Sequence, residues 1–310
     1  MPDPLRRRPP TPPGGRPRVA ALTMVRDEPV MLPRWVEHYS RQCGGAGALL
    51  VIDDNTTDGS TDDLECPVLR VPPFVHRPFE PARMGFVSHV ASALLESYDA
   101  VVFCDADEFL VAEPERYDTL ADLVGAKPRT KVFGAVGMNV VHHVGAEPDL
   151  DPAAPISEQR ALAKFVPLMC KPAMKKVHGA WTAASHGLKH TEWAIDPELW
   201  LFHAKFADRE ALRMAAEGRR AAVLHDNRPQ ETSWKFTGDK MVRLLDQMTA
   251  HLPETDPYAA IPEFAPTTHQ LRRVVVQEDD AWRARGGGRQ IQRMRKGELV
   301  RIPERFRGTF

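Results

Sequence analysis

The order of local patterns predicts an α/β fold for this chain: an open, mostly parallel sheet with helices on both faces. Up to Leu110, short apolar runs alternate with segments of helical period, in the order strand, helix, strand, strand, helix, strand. The strand runs stop at polar clusters: Arg26-Asp27-Glu28-Pro29, Asp53 to Ser60, and Asp105 with Asp107. Charged loops at strand ends are where sheets of this kind hold ligands.

Residues 1–17 interleave Pro2, Pro4, Pro9, Pro10, Pro12, Pro13 and Pro17 with arginines, a composition that cannot bury a core and reads as a disordered tail. From Val19 to Val25 the apolar run reads as a buried strand. Leu32, Trp35, Val36 and Tyr39 then recur at helical spacing, and Gly44-Gly45 ends that helix. Ala48 to Ile52 and Val68 to Val71 are the next strands. A helix from Met84 to Ser97 shows one apolar face, and Ala100 to Cys104 is a fourth, all-apolar strand. Beyond Val111 the pattern loosens. Val132 to Val141 reads as a strand or hairpin, 145–155 as a Pro- and Asp-rich loop, and Leu199 to Phe202 as a short strand. Asp208 is expected to cap a helix ended by Gly218, and a last helix runs from about Asp239 to Met248. The prolines, arginines and Gly286-Gly287-Gly288 that follow Pro253 suggest loose packing.

Composition narrows the function. With 41 Lys and Arg against 42 Asp and Glu, the net charge of -1 gives no electrostatic case for nucleic acid, so any anionic ligand must be held locally. The four cysteines, Cys43, Cys66, Cys104 and Cys170, form no C-x-x-C pair and suggest neither a zinc knuckle nor a disulfide framework. No apolar stretch reaches the roughly 18 residues of a membrane span, and the start lacks the apolar centre of a secretion signal. The expectation is a cytoplasmic protein, with peripheral membrane contact left open.

The strongest chemical feature is Val101-Val102-Phe103-Cys104-Asp105-Ala106-Asp107-Glu108-Phe109-Leu110. A buried strand running into two aspartates one residue apart presents both carboxylates at the edge of the sheet. Hard oxygen ligands there suit Mn²⁺ or Mg²⁺, which commonly share their coordination with substrate phosphates. Ionised carboxylates against an apolar strand need a partner; a cation is one, and a cap or structural ion pair is the alternative. Asp149-Leu150-Asp151 repeats the spacing with no strand before it and reads as a solvated turn. The run Asp53-Asp54-Asn55-Thr56-Thr57-Asp58-Gly59-Ser60 can hydrogen-bond a ribose or base, or form an ordinary Asx-type turn.

Met24-Val25-Arg26-Asp27-Glu28, Trp35-Val36-Glu37-His38-Tyr39, Ile52 to Ser60 and Asp105 to Leu110, in this order and at this approximate spacing, resemble the family 2 type glycosyltransferases. More narrowly they are similar to the branch with an Asp-x-Asp-Glu-Phe motif, related to glycosyltransferase family 92. The resemblance is good from Val19 to Val111, thinner from Phe133 to Arg209, and absent at both ends. It implies a GT-A fold and transfer of a sugar from a nucleotide-diphosphate donor, commonly a UDP-sugar, to an acceptor hydroxyl with inversion. By the same resemblance, Arg26, Glu28, Asp54 and Asn55 bind the nucleotide, Asp105 contacts ribose and metal, and Asp107 is the more direct metal ligand. A downstream histidine completes the metal site in many relatives. His178, His186, His190 and His203 are available, and His186, among small residues, is preferred over its competitor His203. Lys171, Lys175 and Lys189 could screen phosphates. Glu192 and Asp196 are the candidate catalytic bases by their place downstream of the metal pair.

These readings divide the chain into a tail (1–17), a transferase domain (18–250) with a nucleotide-binding half (18–111) and an acceptor half (112–250), and a C-terminal extension (251–310). The acceptor is a glycan, a lipid-linked glycan, a protein or a small molecule. Two other readings stay open: a degenerate transferase that binds a sugar nucleotide without turnover, and a nucleotidyltransferase, disfavoured because Arg26-Asp27-Glu28-Pro29 lacks that class's glycines.

Overall fold

The computed structural model describes residues 15–74, 78–225, 235–253, 258, 260–286, 294 and 297–310. The tail expected over 1–17 therefore falls largely outside the described residues, as do Gly287 and Gly288.

In chain order the elements are β1 (Val19–Val25), α1 (Met31–Cys43), β2 (Leu49–Asp54), β3 (Val68–Val71), α2 (Phe79–Leu94), β4 (Ala100–Phe103), β5 (Glu108–Ala112), α3 (Leu120–Ala126), β6 (Val132–Val141), α4 (Ile156–Gln159), β7 (Leu162–Phe165), β8 (Met174–Lys175), β9 (Gly187–Lys189), β10 (Ala194–Phe206), α5 (Arg209–His225), α6 (Gly238–Thr249), α7 (Thr268–Arg272), β11 (Val275–Glu278), β12 (Ala281–Ala284) and β13 (Val300–Arg301). The main sheet runs β13-β7-β6-β8-β4-β1-β2-β3, with β10 pairing both β5 and β6. This is the expected α/β fold: β3, β2, β1 and β4 are parallel neighbours. Beyond β4 the sheet is mixed, since β8 is antiparallel to β4 while β10 is parallel to β6 and antiparallel to β5.

β1 sits centrally and is buried throughout, so its alternate side chains serve two cores. Val19, Ala21 and Val25 join Leu32, Trp35 and Tyr39 of α1 on one face; Ala20, Leu22 and Met24 join Met84, Val87 and Ala91 of α2 on the other. After β3 the chain crosses back over β1 to lay down β4 on its far side. Strand order thus reverses between β1 and β4, and the crevice outside their carboxyl ends is the natural ligand site of such a sheet.

Several elements depart from the local reading. β5 and α3 are not anticipated: Glu108 to Leu110 reads as part of the aspartate motif, and the seven residues of α3 are too few for helical period to register. β10 extends over thirteen residues, sustained by ladders on both sides and irregular between Ile195 and Trp200 and again between His203 and Phe206. Asp208 does cap α5, its Oδ1 accepting the Ala211 N–H at 2.8 Å. Gly218, however, lies within α5, among Ala215, Ala216 and Glu217, whose helix preference outweighs one exposed glycine. The segment after Pro253 packs where it is described. Its α7, β11, β12 and β13 are ordered elements, and Phe306 and Phe310 are buried, Phe310 stacking on Phe202 with ring centres 4.3 Å apart. Among the described residues, no helix is long and apolar enough to cross a membrane.

The close approach of β6 to the turn at Pro167–Met169 requires glycine. A Cβ on Gly137 would stand inside the backbone of Met169 and Cys170, whereas one on Gly47 meets nothing within 4 Å. Gly137→Ala is expected to lower unfolding free energy by roughly 2–4 kcal/mol, and Gly47→Ala to change it by less than ~0.5 kcal/mol, in urea titrations of the two variants.

Candidate functional site

The carboxyl ends of β1, β2 and β4 bring three loops together. β4 ends at Phe103, and a tight turn closed by Glu108 N–H to Asp105 C=O (2.9 Å) leads into β5. The turn is held from inside: Glu108 Oε2 accepts the Asp105 N–H at 3.2 Å, and Ala204 of β10 donates its N–H to the Asp107 carbonyl at 2.7 Å.

The two aspartates have different neighbours. Asp105 is ion-paired to Arg83 of α2 and lies 3.7 Å from Lys171 Nζ. Burial pushes its carboxyl up, but Arg83 and Lys171 outweigh this and hold it below the usual carboxylate range. Arg83 is in turn held by Glu80 at 3.4 Å, which also accepts the Ala184 N–H at 2.7 Å. Asp107 Oδ2 faces His203 Nε2 at 3.3 Å, and His203 Nδ1 lies 2.7 Å from Asn139 Oδ1. Against burial, the pull of His203, then Arg219 and Lys205, holds Asp107 well below the usual range.

Behind the turn, Glu108 and Lys171 form a buried pair at 2.5 Å, 1% and 2% exposed. Burial pushes the Glu108 carboxyl up, and Lys171 pulls it back. Burial acts against the charge of Lys171, but Glu108 and Asp105 outweigh it and keep the amine protonated. Lys205, two residues beyond His203 on β10, is pushed down to about 7 by burial and then by Arg219, with Asp107 and Asp105 opposing.

The loops that follow β1 and β2 are stapled to one another. Asp27, at φ 50°, accepts hydrogen bonds at Oδ1 from Thr57 N–H (2.7 Å), the Thr57 hydroxyl (3.2 Å) and Asp58 N–H (3.2 Å). Glu28 N–H donates to the Ser60 hydroxyl at 3.2 Å. Asp53 Oδ1 accepts Thr56 N–H and Asp58 Oδ1 accepts Ser60 N–H, so the second loop has the Asx-type turns its composition suggested. Asp54 is buried at the end of β2, and Asn55 is exposed at φ 61°. Arg26 Nε lies 3.8 Å from Asp27. Glu28 reaches toward the aspartate turn: its Oε1 accepts the Met31 N–H at 3.2 Å, and burial, then the charge of Asp107, pushes its carboxyl up to about 7.

Of the residues singled out from sequence, Arg26, Glu28, Asp54, Asn55, Asp105 and Asp107 therefore lie at adjoining strand ends. Asp107 has His203 as its histidine partner. His186 lies on the other side, toward Asp105 and Lys171; burial and then Lys171 push its pKa well down, and its Nδ1 is buried without a hydrogen bond among the described residues. His178 and His190 are exposed beside Glu96 and Asp280. Glu192 and Asp196 are not brought to the pair. Glu192 is exposed just before β10, and Asp196 meets Lys127 at 2.6 Å near the opposite end of that strand from His203. Lys175 is buried under Trp181, 3.8 Å from the ring centre, and Lys189 pairs with Asp280 on the surface. Asp149 and Asp151 are exposed, as a solvated turn should be.

Sequence reading passed over Arg83, Asn139, Lys205 and Arg219. Asn139 carried a signal, as the lone polar side chain in the apolar run Val132–Val141. Among the described residues, no three His, Cys, Asp or Glu side chains are grouped so as to enclose a metal unaided. Asp107 and His203 instead offer one oxygen and one nitrogen facing each other. A divalent ion fits such a pair when a substrate's phosphates and water supply its other ligands.

No protein-family model and no curated protein sequence matches the chain. Among solved structures it is similar to the mannosyltransferase PcManGT from Pyrobaculum calidifontis in complex with GDP-Man and Mn²⁺, at 22% identity and a TM-score of 0.30; the match covers 41% of this chain and 37% of that one. It is also similar to S. aureus TarS, at 9% identity over 75% of this chain and 43% of that one (TM-score 0.32). For TarS 1–349 the identity is 10%, over 68% and 67% of the two chains (TM-score 0.29).

Glu28 makes the site sensitive to pH. Its folded-state pKa of about 7 lies above the ordinary 4.5, so between those values the folded protein holds a proton that the unfolded chain has lost. Stability from this group is complete below the lower value and is lost as pH rises through the upper one. In metal-free buffer, Glu28→Gln, which keeps the acceptor for Met31, is expected to raise stability by ~1–3 kcal/mol above pH ~8 and to leave it unchanged below pH ~4, measured by denaturant titration.

Proposed function

We propose that this chain is a metal-dependent glycosyltransferase of the family 2 type, in the Asp-x-Asp-Glu-Phe branch, moving a sugar from a nucleoside-diphosphate donor, a UDP-sugar by that resemblance, to an acceptor hydroxyl with inversion. The observation that carries the proposal is the meeting of Asp105, Asp107 and His203 outside the carboxyl ends of β1 and β4, beside the stapled loops at Arg26–Glu28 and Asp53–Ser60.

In this reading the nucleoside lies between the two loops, near Arg26, Glu28, Asp54 and Asn55. Asp105, already neutralised by Arg83 and Lys171, accepts hydrogen bonds from the ribose, and Asp107 with His203 holds Mn²⁺ or Mg²⁺. The nitrogen ligand favours Mn²⁺. When bound, the ion neutralises charge gathering on the diphosphate leaving group. Arg219, and Lys205 in its protonated form, add positive potential near Asp107, where a departing anion gains most from it. The acceptor, a glycan, lipid-linked glycan or small molecule, approaches from the half of the chain built on β6 and β10.

Release of nucleoside diphosphate from a panel of UDP-, GDP- and other nucleotide sugars, with Mn²⁺ supplied, tests this. One donor is expected to be hydrolysed slowly without acceptor, and Asp107→Ala to reduce the rate at least ~100-fold. Undiminished release in that variant would remove the metal role. Tight, metal-dependent donor binding with no turnover on any acceptor would instead favour the degenerate reading, to which the remote position of Asp196 lends weight.

A further inference from the structure

Asn139 is fully buried in β6, directly opposite His203 of β10 in the parallel ladder. It is the single polar side chain of that strand's apolar sequence. Its Oδ1 stands 2.7 Å from His203 Nδ1, while its Nδ2 is buried with no hydrogen-bond partner among the described residues. On the other side of the imidazole, Nε2 stands 3.3 Å from Asp107 Oδ2.

We propose that Asn139 is a positioning residue for the divalent cation: by accepting the Nδ1–H of His203 it fixes the tautomer whose bare Nε2 lone pair faces the Asp107 carboxylate. The proposal rests on the cation reading above and assigns Asn139 a part in it. An amide oxygen can only accept, so a hydrogen bond at Oδ1 places the ring proton on Nδ1. When the ring is protonated both nitrogens donate, Nδ1–H to Asn139 and Nε2–H to Asp107; when it is neutral it has one N–H, which the Asn139 oxygen keeps on Nδ1, leaving Nε2 bare. A bare nitrogen and a carboxylate oxygen at this separation repel each other until a positive charge lies between them, so the pair is preorganised for a cation. The reverse rotation of the amide would donate Nδ2–H to Nδ1, move the ring proton to Nε2 and turn it toward Asp107, closing the pair by itself. Histidine metal ligands are commonly oriented in this way through their second nitrogen, and loss of the orienting group lowers affinity by roughly ten- to a hundredfold.

Two measurements on the full-length protein test the assignment. In metal-free, alkaline buffer, ¹⁵N-histidine NMR is expected to show His203 protonated at Nδ1 and bare at Nε2, with His203→Gln used to assign the signals. Protonation at Nε2 would overturn the proposal whatever the metal does. Calorimetric titration with Mn²⁺ alone is expected to show roughly ten- to hundredfold weaker binding to Asn139→Leu, of similar size but without the acceptor, while Asn139→Asp, which keeps it, stays within about threefold of the parent or binds more tightly. Equal losses in both variants would mark Asn139 as merely structural, as would undiminished binding to Asn139→Leu. If Asn139→Leu does not fold, the Asp variant and the NMR signals of the parent still decide the matter. Failure of the parent to bind Mn²⁺, both alone and with UDP or GDP present, would sink the cation reading, and this proposal with it; a parent that binds Mn²⁺ but carries its proton on Nε2 would sink this proposal alone.

Discussion

Ionised side chains pushed into the low-dielectric end of a sheet must be compensated there, and the turn between β4 and β5 is built around that requirement. Asp105, Asp107 and Glu108 occur within four consecutive residues, with Glu28 brought close from the first loop. Against them stand Arg83 from α2, Lys171 beyond β7, and Lys205 and Arg219 from β10 and α5. Removing one member would leave a buried charge without its partner, which costs more than the pair itself contributes. The elements carrying these groups are therefore tied to the turn electrostatically as well as by packing.

The compensation is uneven. Glu108 has Lys171 at 2.5 Å, and Asp105 has Arg83 and Lys171. Asp107 has a histidine, whose charge is conditional, and more distant cations. The acidic pair thus separates into one member satisfied by the protein and one that keeps coordinating capacity. The sheet topology puts that capacity where a ligand can use it, because the reversal of strand order between β1 and β4 opens the crevice that the stapled loops flank.

Much of the chain up to Leu110 was legible in the sequence. Strand β1 was read with its observed limits, the Gly44 end of α1 adopts the left-handed conformation glycine permits, and the strand leading to Asp105 was marked by its apolar run. The loop at Asp53 to Ser60 allowed two readings, and its Asx-type bonds are present alongside the buried Asp54. The second half was less legible. The full length of β10 and the burial of Phe306 and Phe310 follow from contacts between segments far apart in sequence, whose local patterns are weak.

Locally, then, the chain determined its α/β class, the strand ends at which acidic loops emerge, and the spacing of Asp105 and Asp107, because the period of apolar residues and turn chemistry act over a few neighbouring positions. The tertiary structure decided which histidine meets Asp107. His186 and His203 both lie downstream in suitable contexts, but the ladder that sets His203 opposite Glu108 on one side and Asn139 on the other places its ring between Asn139 and Asp107. That choice depends on strand pairing across more than sixty residues, an interaction no local pattern encodes.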